Sequence, residues 1–200
     1  GTNTMIILSS NVIAVILPFI WVFLIFAGEA NEQNNIIVKS TSGYSCNLTF
    51  KNQTFQCSLG RNGVTNDKQE GDGCTPIGTF PLRRAFFRKD RIDTPNTILE
   101  LNITYPNYGW CDDETSNFYN QFIMLPTNYS HEELWLQSSY YDYMAVIGYN
   151  DDPVINGKGS AIFFHVTPDY GSTSGCVALA INDLSYILGN LDENTLMEIS

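Results

Sequence analysis

The sequence predicts a mainly β domain with a few short helices, preceded by an N-terminal hydrophobic segment. Three observations carry this. Apolar runs are short and some alternate, as in Ile98-Leu99-Glu100-Leu101-Asn102-Ile103, where every second side chain falls on one face of a strand. Clusters of Gly, Asn, Asp, Ser and Pro separate these runs, which is turn chemistry. Helix signals are few by comparison.

The elements follow in order. Met5 to Ala27 is almost wholly apolar and uncharged, with Pro18 in the middle. Two readings fit it. A secretory signal peptide would be cleaved near the small residues Ala27-Gly28-Glu29-Ala30, although the usual basic start is missing. A membrane anchor needs about 20 apolar residues, and the run is that long. Either sends the rest of the chain across a membrane, so an extracytoplasmic protein is expected, secreted, periplasmic or anchored through residues 5–27. Residues 31–43 read as a linker, with Ile36 to Lys39 as a first short strand. Residues 44–200 form the folded domain, long enough to bury a core.

Within that domain, Cys46 to Leu59 reads as a hairpin and Gly60 to Pro81 as a long turn-rich loop. Phe80–Phe87, Ile98–Ile103, Tyr143–Tyr149, Ala161–Val166 and Leu196–Ile199 read as strands. Ser130-His131-Glu132-Glu133 fits a helix N-cap with acids in the first turn, predicting a helix to Tyr140. Ile181-Asn182-Asp183-Leu184 opens a last helix, capped by Asn182 and ending near Gly189 or Asn190.

The formal net charge is −11. A nucleic-acid surface needs clustered Lys and Arg, so that class of partner is excluded. There are five cysteines. If Lys51-Asn52 is a two-residue turn, Cys46 faces Cys57 across the hairpin, close enough for a disulfide. Cys74 and Cys111 are the remaining candidate pair, with no spacing argument behind them; the alternative is that all five are reduced. On the two-disulfide scheme Cys176 is the free thiol, as a nucleophile requires. Four sequons, at Asn47, Asn52, Asn102 and Asn128, would be glycosylated surface in a eukaryotic secreted protein. Their number is what an Asn-, Ser- and Thr-rich chain produces by chance.

The chemistry concentrates in one stretch. An apolar run ends in His165, a Pro/Gly/Ser/Thr-rich loop follows, and Cys176 stands behind Gly175 and before a second apolar run. Two strands joined by that loop could bring imidazole to sulfur, the minimal machinery for acyl transfer through a thioester. Asp112-Asp113 and Asp151-Asp152 lack further ligands at metal spacing and read as turn or cap residues. No metal and no organic cofactor is expected. His131 reads as an exposed helix-start residue. Trp110, Tyr119, Tyr149 and Phe164 either line a groove or pack in the core.

Several motifs together resemble the L,D-transpeptidase (YkuD-like) catalytic domain family. They are Gly60-Arg61-Asn62-Gly63-Val64, Glu70 to Leu82, Trp110-Cys111-Asp112-Asp113 with Tyr119-Asn120, Gly159 to His165, and Thr173 to Leu179. The match runs in order from about Tyr44 to Asp192. Where many members carry Ser-His-Gly-Cys, this chain has Thr173-Ser174-Gly175-Cys176. The resemblance implies a YkuD-like β-rich sandwich fold and a peptidoglycan stem peptide or a related peptide or glycan as substrate. It implies Cys176 as nucleophile and His165 as base, oriented by the carbonyl of Val166. The N–H groups of Gly175 and Cys176 would hold the oxyanion. Thr173, Ser174, Trp110 and Tyr149 are the candidate substrate-binding positions. Two further readings stand beside transpeptidation: an L,D-carboxypeptidase, in which water resolves the thioester, and a non-catalytic structural or glycan-binding module on the same fold.

Overall fold

The computed structural model describes residues 34–200. The apolar segment 5–27, with both readings of it, lies outside the described residues. Among those described, no helix is long and apolar enough to cross a membrane.

The chain builds a mainly β domain from an antiparallel start. Strands β1 (Ile36–Ser42), β2 (Ser45–Phe50) and β3 (Gln53–Ser58) pair in sequence. β2 alternates strictly, turning Cys46, Leu48 and Phe50 inward. Lys51 and Asn52 both take positive φ, 46° and 63°, as a tight hairpin turn demands. The register therefore sets Phe50 opposite Gln53 and Cys46 opposite Cys57, and the two cysteines form a disulfide with Cα atoms 4.9 Å apart.

That bridge spans a sequence separation of 11. Closing so short a loop in the unfolded chain is worth about 3 kcal/mol. Cys46→Ser should lower the thermal midpoint under non-reducing conditions. Wild type and variant should coincide once reductant is added; a gap that survives reductant would assign the loss to packing instead.

One sheet carries the architecture. β6 (Gly78–Phe87) is its longest strand. Its first half pairs antiparallel with β14 (Leu196–Ile199); its second half pairs antiparallel with β11 (Tyr143–Ile147) and parallel with β7 (Glu100–Ile103). From β14 the sheet runs through β1, β2 and β3 to β13 (Val177–Leu179), then β12 (Phe163–Val166) and back to β11. The sheet thus closes on itself through β6, which leaves few open edges. The single α-helix among the described residues, α1 (Ile181–Gly189), turns Leu184, Ile187 and Leu188 onto the enclosed core. Its N-cap is Ala180, with no side-chain cap, rather than Asn182. Inside the glycine-rich stretch, β4 (Val64–Thr65) and β5 (Thr75–Pro76) form a two-strand ribbon.

Strand β12 is buried on both faces. Phe164 and Val166 enter the enclosed core with Val177 and Leu179. Phe163 points the other way, into a second apolar cluster with Trp110, Leu134, Tyr141, Met144 and Cys176. A small sheet of β8 (Tyr108–Cys111), β9 (Phe122–Met124) and β10 (His131–Glu133) supplies Trp110 to that cluster.

Three expectations are corrected. First, residues 31–43 are not a linker throughout, because Ile36 and Val38 are fully buried and β1 is an interior strand of the sheet. Second, Ser130 to Tyr140 is not a helix. His131–Glu133 pairs with Gly109–Cys111, and two arginines take the carbonyls that a helix would use. Arg88 donates to Leu136 O at 2.8 Å, and Arg91 to Gln137 O at 3.0 Å and Ser138 O at 2.8 Å. Tertiary donors here override a local capping signal. Third, Cys74 and Cys111 are both free thiols. Cys111 is fully buried at the end of β8, while Cys74 directs its sulfur at the carbonyls of Asn62 and Asp72.

Candidate active site

The site lies where the second apolar cluster stops covering β12 and β13. These strands run parallel, with His165 opposite Ala178 and Phe164 opposite Val177. Alternation then puts His165 and Ala178 on one face, and Cys176 on that same face one step before β13. His165, Cys176 and Ala178 all line one cavity of about 510 Å³.

The loop that delivers Cys176 is pinned before it arrives. Thr173 N donates to Leu59 O and Thr173 O accepts from Arg61 N, both at 2.9 Å. The Thr173 hydroxyl donates to Cys176 O at 2.8 Å and accepts from Gly175 N at 3.1 Å. Gly175 sits at φ +148°; a Cβ there would lie 2.9 Å from the Cys74 carbonyl oxygen and 3.1 Å from Ile162. Only glycine fits so close an approach.

Cys176 is unbridged and 6% exposed. Its sulfur accepts from Phe163 N at 3.2 Å and donates to Ala161 O at 3.3 Å. The imidazole is not among its hydrogen-bond partners. Burial pushes the thiol well above its ordinary range, and the carboxyl of Glu132 adds to this; the Phe163 N–H and the Lys68 charge pull weakly the other way. His165 is 5% exposed. Its Nδ1 lies 2.7 Å from Val166 O. A carbonyl only accepts, so Nδ1 carries the proton and Nε2 keeps its lone pair. Burial lowers the His165 pKa to about 4, against the opposing pull of the Val166 and Tyr140 carbonyls. The resting pair is therefore neutral thiol and neutral imidazole. Tyr140 and Tyr141 flank the imidazole edge-on, with ring centroids 6.2 and 5.2 Å away.

The remaining sequence candidates divide. Thr173 and Ser174 line the cavity, and Ser174 Oγ accepts from Arg61 at 3.5 Å. Gly175 N–H is occupied by Thr173, so Cys176 N–H alone is open as an oxyanion donor. Trp110 and Tyr149 do not line the cavity that holds Cys176. They border a neighbouring one of about 340 Å³. Trp110 packs edge-on against Phe163 and donates to Asn120 Oδ1 at 2.9 Å; the Tyr149 hydroxyl is spent on Lys158 O. Of the sequon asparagines, Asn47, Asn52 and Asn128 are exposed, and Asn102 is half-buried on β7. His131 stands half-buried on the cavity wall rather than at a helix start.

Other cavity residues were not legible as such in the sequence. Arg61, Lys68 and Glu70 come from the glycine-rich stretch, Asp112 follows β8, Glu132 sits on β10 and Tyr141 precedes β11. Lys68, almost fully buried, gives its ammonium to Asp72 at 2.6 Å. Glu70 accepts from Tyr119 at 2.5 Å and from Ser160 at 2.7 Å. Asn120 is the scaffold for this corner. Its Oδ1 also accepts from Ala161 N at 3.0 Å, and its Nδ2 donates to the carbonyls of Tyr149 and Asn150. It thereby holds Ala161, at φ 53°, where its carbonyl meets the Cys176 sulfur. The Tyr119-Asn120 motif was the sequence signal for this pair, and its meaning is positional.

Comparison with known proteins identifies the domain. A family model described as the L,D-transpeptidase catalytic domain (YkuD) matches residues 36–199. No curated protein matches the chain. Among solved structures, L,D-transpeptidase 1 of Mycobacterium tuberculosis is 13% identical, with 83% of this chain and 62% of that chain covered and a TM-score of 0.35. A second L,D-transpeptidase from that organism gives 10%, 82%, 57% and 0.38. Bd1075 of Bdellovibrio bacteriovorus gives 13%, 86%, 50% and 0.40. The chain thus spans between half and two thirds of those proteins' lengths. The family model covers well over half of this chain, and the chain belongs to the YkuD family of L,D-transpeptidase catalytic domains.

Proposed function

We propose that this domain is an extracytoplasmic cysteine acyltransferase acting on peptidoglycan stem peptides. Cys176 attacks the carbonyl of an acyl–D-amino acid bond, and His165 Nε2 takes the thiol proton and passes it to the leaving amine. The oxyanion forms against the Cys176 N–H. The carbonyl of Val166 holds the imidazole in the tautomer this needs. An amine of a second stem then resolves the thioester; water in its place gives an L,D-carboxypeptidase. The observation that carries this reading is the placement of an unbridged Cys176 sulfur and the His165 imidazole on one strand face, in one cavity. The Cys46–Cys57 disulfide suits an oxidising compartment.

The test is acylation by a carbapenem, a ring-strained amide whose opening leaves a stable adduct. Intact-mass and peptide mapping should place one adduct on Cys176 in wild type and none in Cys176→Ala. Labelling no faster than that of a free peptide thiol would favour the non-catalytic module.

A further inference from the structure

We infer that Glu132, held by Tyr141, is the base that takes the first proton from the incoming amine when the Cys176 thioester is resolved by aminolysis. The inference rests on the acyl transfer proposed above. Glu132 lies on β10 and faces the same cavity as Cys176 and His165. One of its oxygens accepts from the Tyr141 hydroxyl. The Tyr141 ring in turn stands edge-on to His165, at 5.2 Å, and to Phe163, at 5.7 Å. Glu132 thus joins the imidazole through one side chain.

The charges around it set the chemistry. Asp112, after β8, and Glu70, in the glycine-rich stretch, are the carboxyl groups whose charge reaches it. Asp112 Oδ1 is buried with no hydrogen-bond partner. The cavity cations are engaged elsewhere: Lys68 with Asp72 and Gln69, Arg61 with Ser174 and Gly71. Among the described residues no Lys or Arg pairs with Glu132. His131 and His165 complete the wall. The stretch of wall around Glu132 thus holds carboxyls and no cation paired to it, which matches an arriving ammonium. Burial raises Glu132 to about 7, Tyr141 opposing and Asp112 and Glu70 adding to the shift. A base acts best with a pKa near the working pH.

Aminolysis needs a second base. A primary amine arrives as R–NH3+, with no lone pair, and must lose two protons to become an amide nitrogen. Glu132 takes the first, freeing the lone pair. The nitrogen attacks the thioester carbonyl, and the C–N bond forms. His165, neutral since the leaving amine carried off the thiol proton, takes the second and returns it to sulfur as the C–S bond breaks. Glu132 then releases its proton to solvent. Water arrives uncharged and needs only the His165 steps. Glu132 therefore selects aminolysis over hydrolysis.

The test uses a stem tetrapeptide that carries a side-chain amine and serves as both donor and acceptor. Dimer reports aminolysis and tripeptide reports hydrolysis, both from one acyl-enzyme pool, so their ratio is independent of the acylation rate. At pH 7, Glu132→Gln should lower the dimer-to-tripeptide ratio at least about tenfold. The ratio should recover near pH 10, where the amine loses its proton unaided. In wild type the carboxylate is the working form, so the ratio should fall as pH drops through about 7. Tyr141→Phe keeps the ring but removes a donor that favours the carboxylate, and should move that midpoint upward. An unchanged ratio in Glu132→Gln, a loss that persists near pH 10, or tripeptide alone from wild type would overturn the inference while leaving the Cys176 chemistry standing. Neither product from wild type would overturn the acyltransfer reading as well.

Discussion

Replacing Cys176 with serine should lower kcat/KM for stem-peptide turnover by about 10³-fold or more, with the thermal midpoint almost unmoved. The two halves of this expectation come from the same contacts. The sulfur accepts from Phe163 N and donates to Ala161 O, and a hydroxyl can do both. Nothing is left unsatisfied, so the fold keeps its stability. Chemistry fares differently. A thiol already raised by burial is still far more acidic than an alcohol in the same place. An imidazole whose conjugate acid has a pKa of about 4 is too weak a base to deprotonate serine during attack. Turnover of Cys176→Ser within tenfold of wild type would remove Cys176 as nucleophile. Equal loss of activity and of thermal stability would make it a core residue.

What was legible in the sequence, and what was not, follows the range of the forces involved. The hairpin Cys46–Ser58 was legible because alternation and a two-residue turn are local, and a local register fixes which residues face each other. Helix α1 and strands β11, β12 and β14 were legible from short apolar runs. The cavity wall opposite this chemistry was not. Glu132 looked like a first-turn acid of a helix because its neighbours satisfy a capping pattern. Arg88 and Arg91, more than 40 positions upstream, decide otherwise, and no window around Ser130 contains them. The same holds for Trp110 and Tyr149. Aromatic residues near a motif suggest a groove, yet Trp110 was claimed by Asn120 and the Tyr149 hydroxyl by Lys158. The pairing of Cys74 with Cys111 rested on elimination, which carries no geometry.

His165→Gln should lower the acylation rate by about 10²–10⁴-fold at neutral pH and change the shape of the pH profile. On the proposed mechanism the working form is the neutral imidazole. Its pKa of about 4 puts the acid limb of kcat/KM near pH 4 rather than near the ordinary histidine value; activity falls as pH drops through that limb. The thiol, raised by burial, adds no limb in the range where free cysteines titrate. Acylation, followed by single-turnover adduct formation, should therefore be nearly flat from about pH 5 to about pH 9. Glutamine can keep a donor toward Val166 O but cannot accept a proton. The variant must then react through the rare thiolate, so its rate should climb roughly tenfold for each unit of pH across that same interval. A wild-type limb near pH 6.5 would mean the imidazole is solvated before it acts. A profile in the glutamine variant that rises only to about pH 7 and is flat above it would mean another group removes the thiol proton, and Glu132, the other titratable group raised close to neutrality in the same cavity, would be the first to test.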